Sequence, residues 1–242
     1  MSTGNFNPFA GGEIERVAPS TFAQREVIAS SQMSDEASTA FNEGVTVQIA
    51  GTLDIALFEK SFQALVDRHE SFRSTFSRKG DEICLQESAR GRYEYVDVGH
   101  LNTEEQKTYL QNLYHNIAIS PMNLEEGPLF FAWLVGLGER SHHLVLAAHH
   151  VVCDGWSFGL LLQELSQIYA ANGRASELSA APSFFDFAEQ HCAGQVVNKD
   201  VDFWRAKFSE VPPNLDLPLD FKRPAQRTFT AARFDYSVED GL

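Results

Sequence analysis

The sequence predicts an α/β fold, a mixed-sheet sandwich in which helices flank the sheet. Short segments rich in Val, Leu and Phe have the alternating or continuous apolar character of strands, and longer segments between them repeat apolar residues at helical spacing. Of the 242 residues, 43% are hydrophobic, which is enough to bury the core of one large domain or two small lobes. This composition excludes wholesale disorder.

The N-terminal part of the chain contains a lead-in, two helices and a strand. Residues 1–18 are rich in Gly, Asn and Pro, and we interpret them as a linker or flexible lead-in. A helix is predicted over Phe22–Ser31, since a Ser-Thr pair before it can cap its first turn. Val45–Ala50 alternates as a strand with one apolar face, and Asp54 then caps an amphipathic helix.

The middle of the chain is predicted to alternate strands with one helix. Gly80, between Lys and Asp, indicates a turn that joins Phe72–Ser77 and Glu82–Glu87 into a hairpin. Tyr93–Val98 is a further short strand. A helix over Thr103–Ala118 is expected to start at its threonine, because two glutamates follow in the first turn.

The remaining elements surround two apolar strands. Leu129–Leu137 and His142–Ala148 are nearly continuous apolar runs, as in buried strands. A helix begins at Asp154 or Ser157 and continues through Ala170. The predicted elements after it are helices over Ser183–Cys192 and Asp200–Phe208, an irregular proline-rich crossing over Val211–Pro224 and a strand over Thr228–Ser237.

Charge and cysteine content exclude several kinds of partner and site. The formal net charge of −14 disfavours nucleic acid and anionic membranes as partners. No apolar run reaches the length of a membrane span. The three cysteines form no Cys-x-x-Cys pair, so we expect a reducing, cytoplasmic location without disulfides or a structural zinc site.

The stretch His-His-Val-Val-Cys-Asp-Gly-Trp-Ser at 149–157 is the strongest candidate for a functional site. If the preceding strand continues, His149 and His150 point to opposite faces, so that one is buried and the other faces open space. The same opposition argues against a metal ion shared by both rings. An exposed histidine at a strand–loop–helix corner is a common position for catalysis.

Three other residues of this stretch have both structural and functional interpretations. Gly155 permits a tight turn that brings the backbone close to a ligand. Asp154 by itself is a helix cap or a buried salt-bridge partner. Cys153 is interpreted as a packed small residue, with a thiol nucleophile as the alternative.

The 149–157 stretch resembles the His-His-x-x-x-Asp-Gly signature of condensation domains of nonribosomal peptide synthetases, which have a chloramphenicol acetyltransferase-like fold. Segments similar to other family motifs occur in family order at Ser20–Arg25, Arg68–Phe76, Met122–Leu129, Phe184–Ala188 and Leu217–Pro224. A later family motif of the Gly-x-Phe-Val-Asn-Thr type is absent. We therefore interpret residues 19–178 as the N-terminal lobe and residues 179–242 as helices and a crossover toward a C-terminal lobe that is missing.

The resemblance implies amide bond formation between two carrier-bound substrates. An acyl or peptidyl thioester on an upstream carrier protein would react with the amine of an aminoacyl thioester on a downstream carrier, both held on phosphopantetheine arms. Neighbouring synthetase domains and the missing lobe are the other implied partners, and no bound cofactor or metal is expected. The chain alone is expected to be inactive. A free-standing acyltransferase acting on a soluble acceptor and a non-catalytic docking or scaffold lobe are the alternatives.

The resemblance also implies roles for the two residues nearest the reaction. His150 would take the proton of the attacking amine or orient that amine. The backbone N–H of Gly155 would contact the thioester oxygen.

Supporting roles follow from the same resemblance. His149 is expected to be buried and hydrogen-bonded. Asp154 would pair with Arg68 and so aim the catalytic ring. Arg73 would either join that pair or be solvated at the surface.

Overall fold

The structure, a computed structural model, describes residues 13–193, 198–213, 215–225 and 227–229. The helices and strands in chain order are β1 (Ile14–Pro19), α1 (Phe22–Ser31), α2 (Asp35–Thr39), β2 (Asn42–Ala50), α3 (Ile55–Arg68), β3 (Ser74–Phe76), β4 (Glu82–Gln86), β5 (Arg92–Asp97), α4 (Thr103–Ile119), β6 (Phe130–Gly138), β7 (Ser141–His149), α5 (Gly155–Ala170), α6 (Phe184–Ala193) and α7 (Asn198–Lys207). The predicted mixture of strands and helices is confirmed, and most predicted bounds agree to within three residues.

The larger sheet has the strand order β2-β7-β6-β5. It is mixed, as predicted, because β5 and β6 run parallel whereas the other neighbours are antiparallel. Alternate residues of β6 and β7 face α3 and α5, and they form the main core with Phe62 and Leu165. On the opposite face, the Tyr114 hydroxyl of α4 lies 2.5 Å from His143 Nε2 of β7. Helices therefore cover both faces of this sheet.

A smaller antiparallel sheet with the order β1-β4-β3 differs from the single predicted sheet. It contains the predicted hairpin, whose turn has Gly80 at φ +71°, a conformation that favours glycine. The first hairpin strand is shorter than expected, since Glu70–Arg73 forms a 3₁₀ turn. The interpretation of residues 14–18 as part of a lead-in is wrong, because Ile14–Pro19 pairs with Glu82–Gln86.

The chain divides into two compact units, Met1–Gln195 and Val196–Leu242. The boundary that we predicted after residue 178 is therefore too early, because α6 packs against β1 and buries Phe185 completely. The second unit contains α7, and its described residues beyond Ser209 form no helix or strand, as expected for the proline-rich segment. All but the first two residues of the predicted strand Thr228–Ser237 lie outside the described residues.

Candidate active site

His150 lies directly after β7, at the corner between the larger sheet and α5. The register of β7 with β2 pairs His149 with Asn42. The backbone N–H of His150 donates to the carbonyl of Phe41 at 2.9 Å, so the corner is tied to the chain just before β2. The side chain of His150 is 38% exposed. The prediction that this ring faces open space rather than packed side chains agrees with its position.

The His150 ring is held on one edge and one face. Its Nδ1 lies 3.0 Å from the carbonyl oxygen of Cys153 and 3.2 Å from Oε1 of Glu43. The ring of Phe41 stacks beside it, with 6.5 Å between ring centroids and 12° between the planes. The sequence analysis missed Glu43, because its position beside the ring depends on the pairing of β2 with β7.

His149 is fully buried, as predicted. Its Nδ1 accepts from the backbone N–H of Val151 at 3.2 Å, so Nε2 carries the proton and faces Ser31 Oγ at 3.4 Å. Burial, with a smaller contribution from His150, lowers the pKa of His149 to about 4. The first histidine is therefore a neutral structural group.

The motif segment at Ser20–Arg25 supports this corner from below. Thr21 caps α1, and the side chain of Gln24 is buried. Gln24 Nε2 donates to the carbonyl oxygen of Val151 at 3.2 Å. A motif far away in the sequence thus fixes the loop that follows His150.

Asp154 is the N-cap of α5. Its Oδ1 accepts from the backbone N–H of Ser157 at 2.8 Å and from the Ser157 hydroxyl at 2.6 Å. These hydrogen bonds lower the pKa of Asp154. Gly155 is the first residue of the helix, and a Cβ at this position would meet no atom within 4 Å. The backbone near Gly155 is therefore open to a ligand, which is compatible with its predicted role without testing it.

The predicted pair between Asp154 and Arg68 is not formed, and this expectation is corrected. Arg68 instead makes a two-point contact with Glu164, from Nε at 2.9 Å and from Nη2 at 3.1 Å. Glu164 lies on α5 ten residues beyond Asp154, about 15 Å along the helix axis. Arg68 thus joins α3 to the middle of α5 and not to the corner at its start.

Glu164 is the centre of a buried ionic cluster with Arg68 and His69. His69 Nε2 lies 2.7 Å from Glu164 Oε2, and the side chains of Arg68 and Glu164 are each only 10% exposed. Burial raises the pKa of Glu164, but the hydrogen bonds from Arg68 and His69 outweigh it and lower the pKa. One signal could have revealed this residue: Glu164 occurs at helical spacing among Leu161 and Ile168, and a charge on an apolar face needs a partner.

Arg73 belongs to neither cluster. Its Nη1 donates to the carbonyl oxygens of Gln86 and Glu87 and lies 3.4 Å from Glu15 Oε2. It therefore ties the end of β4 to the start of β1. Both alternatives considered for Arg73, the Asp154 network and solvation at the surface, are wrong.

Cys153 is packed rather than reactive. Its residue surface is only 4% exposed, and burial raises the pKa of its thiol to about 12. A thiol with this pKa has almost no thiolate near neutral pH, which favours the structural interpretation.

Two searches of the described residues give negative findings. They contain no group of three or more His, Cys, Asp or Glu side chains arranged to hold a metal ion. None of the helices in the described part of the chain combines the length and the apolar character required for a membrane span.

Known proteins with similar sequences share one enzyme class. One of the linear gramicidin synthase proteins of Brevibacillus parabrevis is 33% identical over 228 residues, which are 91% of this chain and 3% of that protein. Surfactin synthase subunit 2 of Bacillus subtilis (strain 168) is 30% identical over 243 residues, or 97% of this chain and 6% of that protein. The chain thus spans a small part of the curated relatives that it matches.

Solved structures match the fold. The starter condensation domain of rhizomide synthetase RzmA has a TM-score of 0.69 at 20% identity, over 82% of this chain and 49% of that chain. The first condensation domain of the calcium-dependent antibiotic synthetase, in complex with substrate analogue 3a, has a TM-score of 0.68 at 20% identity, over 83% and 50%. These matches confirm the predicted fold class, over about half of each solved chain. The family model described as Condensation domain matches residues 14–242, and the chain belongs to that family.

Proposed function

We propose that this chain supplies the histidine-bearing half of a condensation domain that forms amide bonds between carrier-bound substrates. The observation that carries the proposal is the position of His150. Its backbone is fixed by Phe41, its ring edge is held at Nδ1, and its side chain is 38% exposed at the end of a buried strand. The relatives named as peptide synthases support the substrate class.

The proposed reaction balances without a cofactor. The amine nitrogen on the acceptor arm attacks the thioester carbonyl carbon of the donor arm, and a C–N bond forms. His150 takes a proton from that nitrogen, the C–S bond breaks, and the protonated ring returns the proton to the departing thiolate. The products are an amide on the acceptor arm and a free thiol on the donor arm. The Gly155 N–H is proposed to stabilise the oxygen of the tetrahedral adduct.

A substitution at His150 tests this role. In a complete condensation domain that contains this chain, His150→Ala is expected to reduce amide formation between loaded carriers by about 10²- to 10⁴-fold, the usual contribution of a positioned acid or base. Product is measured by mass spectrometry after release from the acceptor carrier.

The matched control is His115→Ala, since His115 is an exposed histidine on α4. This variant is expected to keep the native rate. Unchanged turnover in His150→Ala would refute the proposed role. Amide formation from a soluble amine without an acceptor carrier would favour a free-standing acyltransferase, and no turnover by the native domain would favour a docking or scaffold lobe.

A further inference from the structure

The carboxylate of Glu43 lies beside the ring of His150, and the sheet enforces this contact. Glu43 is the second residue of β2 and pairs in register with Ala148 of β7. Side chains on a strand alternate between faces, so Glu43 shares the face of Val45, which packs on the core below α5. The carboxylate is thus delivered to the side of the sheet where α5 begins.

The contacts at Nδ1 determine where the ring carries its proton. Both groups that face Nδ1, the Cys153 carbonyl at 3.0 Å and Glu43 Oε1 at 3.2 Å, are hydrogen-bond acceptors when the carboxylate is ionised. Nδ1 must therefore be the donor in the neutral ring. Nε2 then has the lone pair, and no described residue hydrogen-bonds to it. The neighbouring His149 has the opposite arrangement, with its proton on Nε2.

The charge of Glu43 is not balanced by another cation. Among the described residues, His150 is its ionic partner, and no Lys or Arg lies within salt-bridge distance of it. Its second oxygen, Oε2, is buried and has no hydrogen-bond partner among the described residues. A positive charge that appears on the ring would therefore meet a carboxylate already in place.

We propose that Glu43 is a positioning residue for His150, which holds the ring through Nδ1–H and stabilises the imidazolium that forms when Nε2 takes the amine proton. This inference rests on the proposed function. Nδ1 keeps its proton throughout, Nε2 gains one from the acceptor amine and returns it to the thiolate, and Glu43 stays ionised. The carboxylate thereby assigns His150 to proton transfer rather than to orientation of the amine alone.

A spectroscopic experiment tests the contact without any assay of activity. The chain is labelled with ¹⁵N at its histidine rings, and His150→Gln identifies the His150 signals by their loss. A charge-assisted hydrogen bond is shorter and stronger than a neutral one, so the Nδ1–H proton of His150 is expected downfield of the other ring N–H protons. Glu43→Gln should move it upfield, whereas Glu26→Gln, at an exposed carboxylate on α1, should leave it unchanged. An unmoved resonance in folded Glu43→Gln would overturn the inference.

Glu43→Asp keeps the charge and withdraws it by one methylene group. Its resonance is expected between those of the native chain and Glu43→Gln. The aspartate variant decides the question if Glu43→Gln does not fold, and a native-like resonance in it would then contradict the contact.

A kinetic experiment tests the role. In a complete condensation domain that contains this chain, Glu43→Gln is expected to lower kcat by about 10- to 100-fold, the usual effect of a group that orients another, with the KM for the acceptor carrier unchanged. Native kcat in this variant would overturn the inference while leaving the proposed function intact. If the native domain forms no amide, the proposed function fails, and the ring N–H resonance still decides whether Glu43 holds His150.

Discussion

Two carboxylate–histidine pairs in this molecule have the same chemical groups and different surroundings. Glu164 and His69 form the first pair inside the core between α3 and α5, with Arg68 as a further cation. Glu43 and His150 form the second at the exposed corner after β7, where no described residue adds a cation. A carboxylate neutralised by a buried arginine serves to join helices, whereas a carboxylate whose ionic partner is one exposed ring is available to support proton transfer.

The largest expected difference between the pairs is in stability. Glu164→Gln leaves the guanidinium of Arg68 buried without its counter-charge, so the free energy of unfolding is expected to fall by about 3–5 kcal/mol. Urea denaturation followed by circular dichroism measures it. Glu43→Gln is the matched control, because its pair is more than a third exposed, and it should lose less than about 1 kcal/mol. Equal losses would remove the distinction between the pairs.

A histidine without a carboxylate partner provides the next test. The folded-state pKa of His149 is about 4, below its ordinary 6.5, so between these values the unfolded chain binds a proton that the folded chain does not. The free energy of unfolding should therefore fall as the pH decreases through this window, by up to about 1.4 kcal/mol per pH unit.

His149→Gln removes this titration. Denaturation curves collected across the window should show a shallower dependence of stability on pH in the variant than in the native chain. Identical slopes would mean that His149 is not held neutral by burial.

The smallest expected effect concerns the helix cap at the same corner. Asp154→Ala removes the hydrogen bonds to Ser157, and the loss of an N-cap costs about 0.5–2 kcal/mol. This is less than the loss expected for Glu164→Gln, since Asp154 is exposed and has no buried ion pair. A loss as large as that of Glu164→Gln, again by urea denaturation, would restore the ion-pair role that the resemblance implied.

Local features of the fold were predictable, and long-range ones were not. Thr21, Asp54 and Asp154 all cap helices at positions that the sequence indicates, because a cap involves residues within one turn. The strand Ile14–Pro19 was missed, since its apolar residues are few and its hydrogen bonds go to residues about 70 positions away. The partner of Arg68 was assigned wrongly for a similar reason.

The sequence by itself determined the alternation of strands and helices, the burial of one histidine and the exposure of the next, because these follow from periodicity and from the chain direction at a strand end. Only the tertiary structure decided which charges meet. Glu43 reaches His150 through the register of β2 with β7, and Glu164 reaches Arg68 through the packing of α5 on α3. Ionic contacts act over a few ångströms between residues about a hundred positions apart, so the folded arrangement of the elements determines them, and no local pattern encodes it.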